Sequence, residues 1–91
     1  MNMTYHAGER SQQRGIPPFI LECLDDFGEE VYDGRGAVIR YFTRDSRKRM
    51  KHKFGRNLYS KLESYFNIYK VENHDGMVIT TGHLTKRINR K

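Results

Sequence analysis

The sequence predicts an α+β domain: two N-terminal helices packed on an antiparallel sheet of about four strands, with a basic helix between two β-hairpins. Three observations carry this reading. Apolar residues recur at helical spacing after a Pro-Pro pair, and two short apolar runs each fold back across a turn containing Asp-Gly. Strands and helices come in blocks, without the regular βαβ alternation that builds a parallel sheet.

Each element has a local cause. Thr4 caps a first helix from Tyr5, and Gly15 closes it. Its apolar face is thin, with Met3, Ala7 and Tyr5 as candidates for burial. Pro17-Pro18 opens a second helix, in which Ile20, Cys23, Leu24 and Phe27 form a core-facing stripe at i, i+3, i+4 and i+7; Gly28 ends it. Residues 29–33 and 37–42 read as strands joined by Asp33-Gly34-Arg35-Gly36. Val38 and Phe42 share a face with Arg40, and Ala37, Ile39 and Tyr41 share the other. Thr43 or Asp45 caps a third helix running to about Phe54 and closed by Gly55, with Met50 and Phe54 inside. A short helix follows, with Leu58, Leu62 and Tyr65 on one side. Residues 66–72 and 77–82 form the second hairpin across Asn73-His74-Asp75-Gly76. The stretch 84–91 is a basic tail that extends the last strand or hangs free.

Ninety-one residues make one domain. Charged residues are 31% of the chain and hydrophobic ones 36%, and the mean hydropathy is −0.86. No apolar run approaches the roughly 20 residues of a membrane span. The N-terminus has neither the basic start nor the apolar stretch of a secretory signal. One cysteine, Cys23, excludes an internal disulfide and a cysteine-rich zinc site. A soluble protein of a reducing, cytoplasmic compartment is expected. Five Phe and six Tyr supply a small, aromatic-rich core.

The charge is unevenly divided. Residues 1–34 hold two basic and seven acidic residues, a net of −5. Residues 35–91 hold fifteen Lys/Arg and four acids, a net of +11, and the halves sum to +6. A field of this shape draws polyanions to one side of a molecule, and nucleic acid is the usual polyanion for a domain with a pI near 9.7. Solubility, or an acidic protein partner, accounts for the same charge.

The densest basic segment is the third helix. Arg44, Arg47, Lys48 and Lys51 there suit a phosphate-backbone clamp. Tyr41, Tyr59, Tyr65 and Tyr69 are candidates for base stacking, and equally for the core edge. His6, His52, His74 and His83 lack metal-ligand spacing, so no metal and no cofactor is expected. There is no phosphate loop, Gly34-Arg35-Gly36 reads as a turn, and no nucleophile elbow is present.

Two histidines stand among arginines. His6, Arg10 and Arg14 fall at i, i+4 and i+8 on the first helix, and His83 precedes Arg87 and Arg90. RNA cleavage without a metal needs a base for the 2′-hydroxyl, an acid for the leaving oxygen and cations on the phosphate. Histidine serves the first two roles and arginine the third. The reading requires His6 and His83 to meet in one cationic cleft. Structural hydrogen bonding by each histidine is the competing account.

The string Thr4-x-His6-Ala7-x-x-Arg10-x-x-Gln13-Arg14-Gly15-Ile16 resembles the opening of an uncharacterised family of small bacterial proteins, which is similar to the RelE-like toxins of toxin-antitoxin pairs. It spans thirteen residues. A second stretch, Val78-Ile79-Thr80-Thr81-Gly82-His83-x-Thr85-x-Arg87, looks like the closing strand and basic tail of the same proteins. The resemblance implies a small α+β fold with an antiparallel sheet, an mRNA-cleaving activity and an acidic antitoxin partner. It singles out His6, Arg10 and Arg14 in front and His83, Thr85 and Arg87 behind. RelE-like toxins open with a strand, and none is signalled before Thr4.

The functional expectation is therefore an RNA-binding protein with metal-independent endoribonuclease chemistry. His6, His83, Arg10 and Arg87 would be its catalytic groups. Arg14, Arg44, Arg47, Lys48, Lys51, Thr85 and Arg90 would hold the nucleic acid. The alternative is a non-catalytic module that binds nucleic acid or an acidic protein.

Overall fold

The computed structural model describes residues 2–84. It contains α1 (Tyr5–Gln13), α2 (Pro18–Phe27), β1 (Glu29–Tyr32), β2 (Val38–Tyr41), α3 (Arg44–Phe54), α4 (Arg56–Leu62), a 3₁₀ turn (Glu63–Tyr65), β3 (Ile68–Glu72) and β4 (Val78–His83). The fold is α+β, as expected. The four strands form an antiparallel meander in the order β1-β2-β3-β4. The central pair, β2 and β3, sits side by side although α3 and α4 intervene in sequence.

Both hairpin turns are closed in the same way. The Asp33 carboxylate accepts from the amides of Arg35 (2.7 Å) and Ala37 (3.1 Å). The Asn73 side-chain oxygen accepts from those of Asp75 and Met77, each at 3.0 Å. Such side-chain-to-backbone bonds are why Asp and Asn favour turns. Gly36 and Gly76, with φ of 90° and 82°, supply the left-handed residue that each turn needs.

The register assigns side chains to faces. Arg40 opposes Lys70, which opposes Thr81. These three lie with Glu30, Ile68, Glu72 and His83 on the face that carries the helices. α1 is seated there on β4. Its buried residues are Ala7 and Ser11, while Tyr5 is 87% exposed. Ser11 Oγ donates to the Ala7 carbonyl (2.8 Å), so the Thr81 hydroxyl donates to Ser11 Oγ (2.7 Å). A small polar contact therefore replaces the apolar one expected of Tyr5. The segment before α1 is also paired. Met3 makes a parallel bridge to Val78, with Thr4 N bonded to Val78 O (3.0 Å) and Val78 N to Asn2 O (2.8 Å). A single bridge leaves no sequence signal, which is why no strand was expected before Thr4.

α2 is the centre of the core. Ile20, Leu21, Cys23 and Leu24 are buried with Ile16, Phe42, Met50, Phe66 and Ile68. Leu21 lies beyond the predicted stripe because α2 meets the sheet on one side and α3 on another. Tyr59 and Leu62 of α4 pack on this core, whereas Leu58 and Tyr65 stay exposed, a correction to the predicted inner face. Burial, and then the carboxylates of Asp26 and Glu22, push the Cys23 thiol up to about 11.

Between α2 and the sheet lies an ion-pair network. The Lys70 ammonium, wholly buried, contacts Asp25 (2.7 Å) and Glu72 (3.6 Å). Arg40 contacts Glu72 (2.5 Å), Glu30 (2.7 Å) and Asp25 (3.8 Å). The Arg40 guanidinium is held charged more firmly than usual, its pKa raised: burial opposes the charge, and the hydrogen bond it donates to Glu72, with the three carboxylates, outweighs that. Among the described residues, no buried side-chain nitrogen or oxygen lacks a hydrogen-bond partner.

Candidate functional site

The most cationic surface is built by α3. Thr43 caps it: Thr43 Oγ1 accepts from Ser46 N and Ser46 Oγ accepts from Thr43 N, both at 3.1 Å. Gly55, with φ of 83°, ends it. Ser46 and Met50 are buried and Phe54 packs against the core, which fixes the inward line of the helix. At 3.6 residues per turn, Arg44, Arg47, Lys48 and Lys51 then fall within an arc of about 100° on one flank. No acidic residue of α3 shares that arc; Asp45 falls outside it.

On the opposite flank Arg49 is paired. Arg49 reaches Asp45 (3.4 Å), Glu29 of β1 (3.7 Å) and the Phe27 carbonyl (2.9 Å). The open flank is held from beneath instead. The Lys51 ammonium lies 5.8 Å from the centre of the Tyr59 ring, and the Arg47 guanidinium 5.8 Å from that of Phe66. The two rings pack on each other at 5.5 Å. Each cation–ring contact is worth about 0.5–1 kcal/mol at such a surface and restricts a flexible side chain.

This flank adjoins the end of β4. Arg47 donates to the Asn67 side-chain oxygen (2.9 Å), and the Asn67 carbonyl accepts from Leu84 N (2.9 Å). His83 is exposed on the helix-bearing face, opposite Ile68. Two residues earlier, the Thr81 carbonyl accepts from the Arg14 guanidinium. Arg14, His83 and Arg47 therefore gather at one end of the molecule. Neither Asn67 nor Tyr59 was singled out as the partner of a cation, because both contacts are made between elements and leave no local pattern.

His6 lies elsewhere. It is exposed in the first turn of α1, whose cap, Thr4, is bonded to Val78 at the start of β4. His83 ends the same strand, five residues on, which is about 17 Å at ~3.3 Å per residue. α1 runs alongside β4 and sets its first turn, with His6, toward the end of the strand opposite His83. Arg10, exposed on α1, lies between His6 and Arg14 along the helix. Thr85, Arg87 and Arg90 lie outside the described residues.

His52 is exposed on α3, and His74 sits in the second turn beside Asp75 (3.4 Å). Among the described residues no three His, Cys, Asp or Glu side chains are grouped as metal ligands are. Nor is any described helix long and apolar enough to cross a membrane. Compared with protein-family models, with curated proteins and with solved structures, the chain matches none.

Proposed function

We propose that this chain is an RNA-binding protein that grips phosphates with the open flank of α3, assisted by Arg14 and His83 at the adjoining end of β4. The observation that carries the reading is the asymmetry of α3. Arg49 on one side is spent on Asp45 and Glu29, while Arg44, Arg47, Lys48 and Lys51 share a flank without a carboxylate from the helix. Phosphates neutralised by several side chains at once release counterions, which makes binding tight at low salt and weak at high salt. RNA is the polyanion to which the resemblance of the N-terminal string points.

Binding is favoured over cleavage by a histidine pair. General acid and base must both reach the reacting phosphodiester within hydrogen-bonding distance, and about 17 Å of strand, at ~3.3 Å per residue, separates His83 from Val78, to which the cap of α1 is bonded.

The test is a filter-binding titration of labelled RNA at 50 and 250 mM salt, with the products analysed after incubation in chelator. Retention at 50 mM that falls at least tenfold at 250 mM, and is abolished in Arg44→Glu/Lys48→Glu, is the expected result. Retention that ignores both salt and the double substitution removes the reading. Cleavage lost in His6→Ala and His83→Ala alike would restore the histidine pair.

A further inference from the structure

The open flank also carries information about the form of nucleic acid it takes, an inference that rests on the reading just given. We propose that it receives a base-paired helix, lying along one phosphate ridge, rather than a single strand with its bases splayed.

The first reason is the state of the rings. Surfaces for single strands offer free aromatic faces on which successive bases stack. Here the rings beneath the flank are occupied: Lys51 lies over Tyr59, Arg47 lies over Phe66, and Phe66 is fully buried. They seat cations. Tyr65, the exposed ring nearby in sequence, belongs to the turn after α4 and not to α3.

The second reason is spacing. Arg44, Lys48 and Lys51 cover about 10.5 Å of helix axis at 1.5 Å per residue. Over that length the ridge of a duplex presents successive phosphates at one constant spacing, whereas the spacing along a single strand varies with its conformation.

The third is stiffness. The array is built on a capped helix, and Arg47 is further fixed by Asn67 (2.9 Å). Arg47 and Lys51, held in place, gain most from a ligand whose charges are also fixed, because less freedom is then lost on binding. A duplex, stiff over about 150 base pairs, meets that condition and a single strand does not. Because the flank meets phosphates and not base edges, recognition is indifferent to sequence.

The experiment uses the full chain and an end-labelled 16-nucleotide RNA without self-complementarity, alone or annealed to its complement, followed by fluorescence anisotropy from 50 to 300 mM KCl. The expected result is duplex binding at least fivefold tighter than single-strand binding. The slope of log K against log salt should be about −3.6 for four phosphate contacts, shrinking by about 2.7 in Arg44→Ala/Lys48→Ala/Lys51→Ala. Single-strand binding that equals or exceeds duplex binding overturns the proposal and leaves the RNA-binding reading standing. A loss of tenfold or more in single-strand affinity in Tyr59→Leu or Tyr65→Ala, with duplex affinity unchanged, overturns it too. Binding of neither form at 50 mM overturns both.

Discussion

The cations of the sheet and the cations of α3 are the same residue types put to opposite uses. Lys70 and Arg40 lie under α2, and Asp25, Glu30 and Glu72 surround them. Arg44 and Lys48 stand in solvent on a flank without acids of its own helix. The difference is set by what lies across from each. A cation facing a packed helix needs carboxylates beside it, since an unpaired buried charge costs several kcal/mol. A cation facing water needs none and stays free to neutralise an external anion. Net charge alone hides this, because Lys70 and Arg40 count towards the +11 of residues 35–91 and are not available to a ligand.

The largest expected effect is on the buried set. Lys70→Ala, which leaves Asp25 and Glu72 short of a partner, should lower unfolding stability by about 3–5 kcal/mol in a urea titration. RNA affinity of the folded fraction should hardly move. A loss under 1 kcal/mol would erase the distinction between the two sets. Next comes the joint of α2 and β1, which brings Glu30 to Arg40. A methyl group on Gly28 would stand 2.6 Å from the Leu24 carbonyl oxygen. Gly28→Ala should therefore cost about 1–3 kcal/mol by thermal denaturation, because backbone must shift to make room.

On the exposed set the signs reverse. Lys48→Ala should leave stability within about 0.5 kcal/mol of the parent, yet weaken RNA binding uniformly across sequences and reduce the salt slope by about 1. Thr43→Ala joins the two readouts. Loss of the cap should cost about 1 kcal/mol and loosen the row of cations, read as a matching small fall in affinity at constant slope.

A further effect concerns Cys23 and appears only in alkali. The unfolded thiol ionises near its ordinary 9.0, while the folded one keeps its proton to about 11. Above pH 9 the unfolded chain therefore holds fewer protons than the native one. Stability attributable to this group is complete below pH 9 and declines between pH 9 and 11, by at most about 1.4 kcal/mol per pH unit. The difference between the parent and Cys23→Ala, followed by denaturation across that window, isolates it from every other group.

Much of the fold was legible because its causes are local. The stripe from Ile20 to Phe27, the Asp33 and Asn73 turns and the Thr43 cap each sit within a few residues of the structure they dictate. The cationic residues of α3 could likewise be named from sequence, and their common flank follows from helical spacing. What could not be read depends on distant partners. Arg49 looks like its neighbours until Glu29 and the Phe27 carbonyl reach it. Lys70 follows Ile68 in the alternation of β3, a pattern that puts it on the buried face, but the carboxylate that accepts it comes from α2. His6 and His83 each sit in a convincing local pattern, and neither pattern contains the direction of α1 along β4, which sets the two toward opposite ends of that strand.

The seating of α1 has a consequence for how the chain comes to be folded. Ser11 waits for Thr81, seventy positions later, and Asn2 and Thr4 wait for Val78. During synthesis the earliest helix is thus made long before its support exists, and a chain released short of β4 has nowhere to dock it. Contacts of such long sequence separation slow folding, since the intervening loop must be closed before any reward is collected. Seating of α1 is accordingly completed only with β4, and a ribosomal product arrested before β4 should be a ready substrate for proteases.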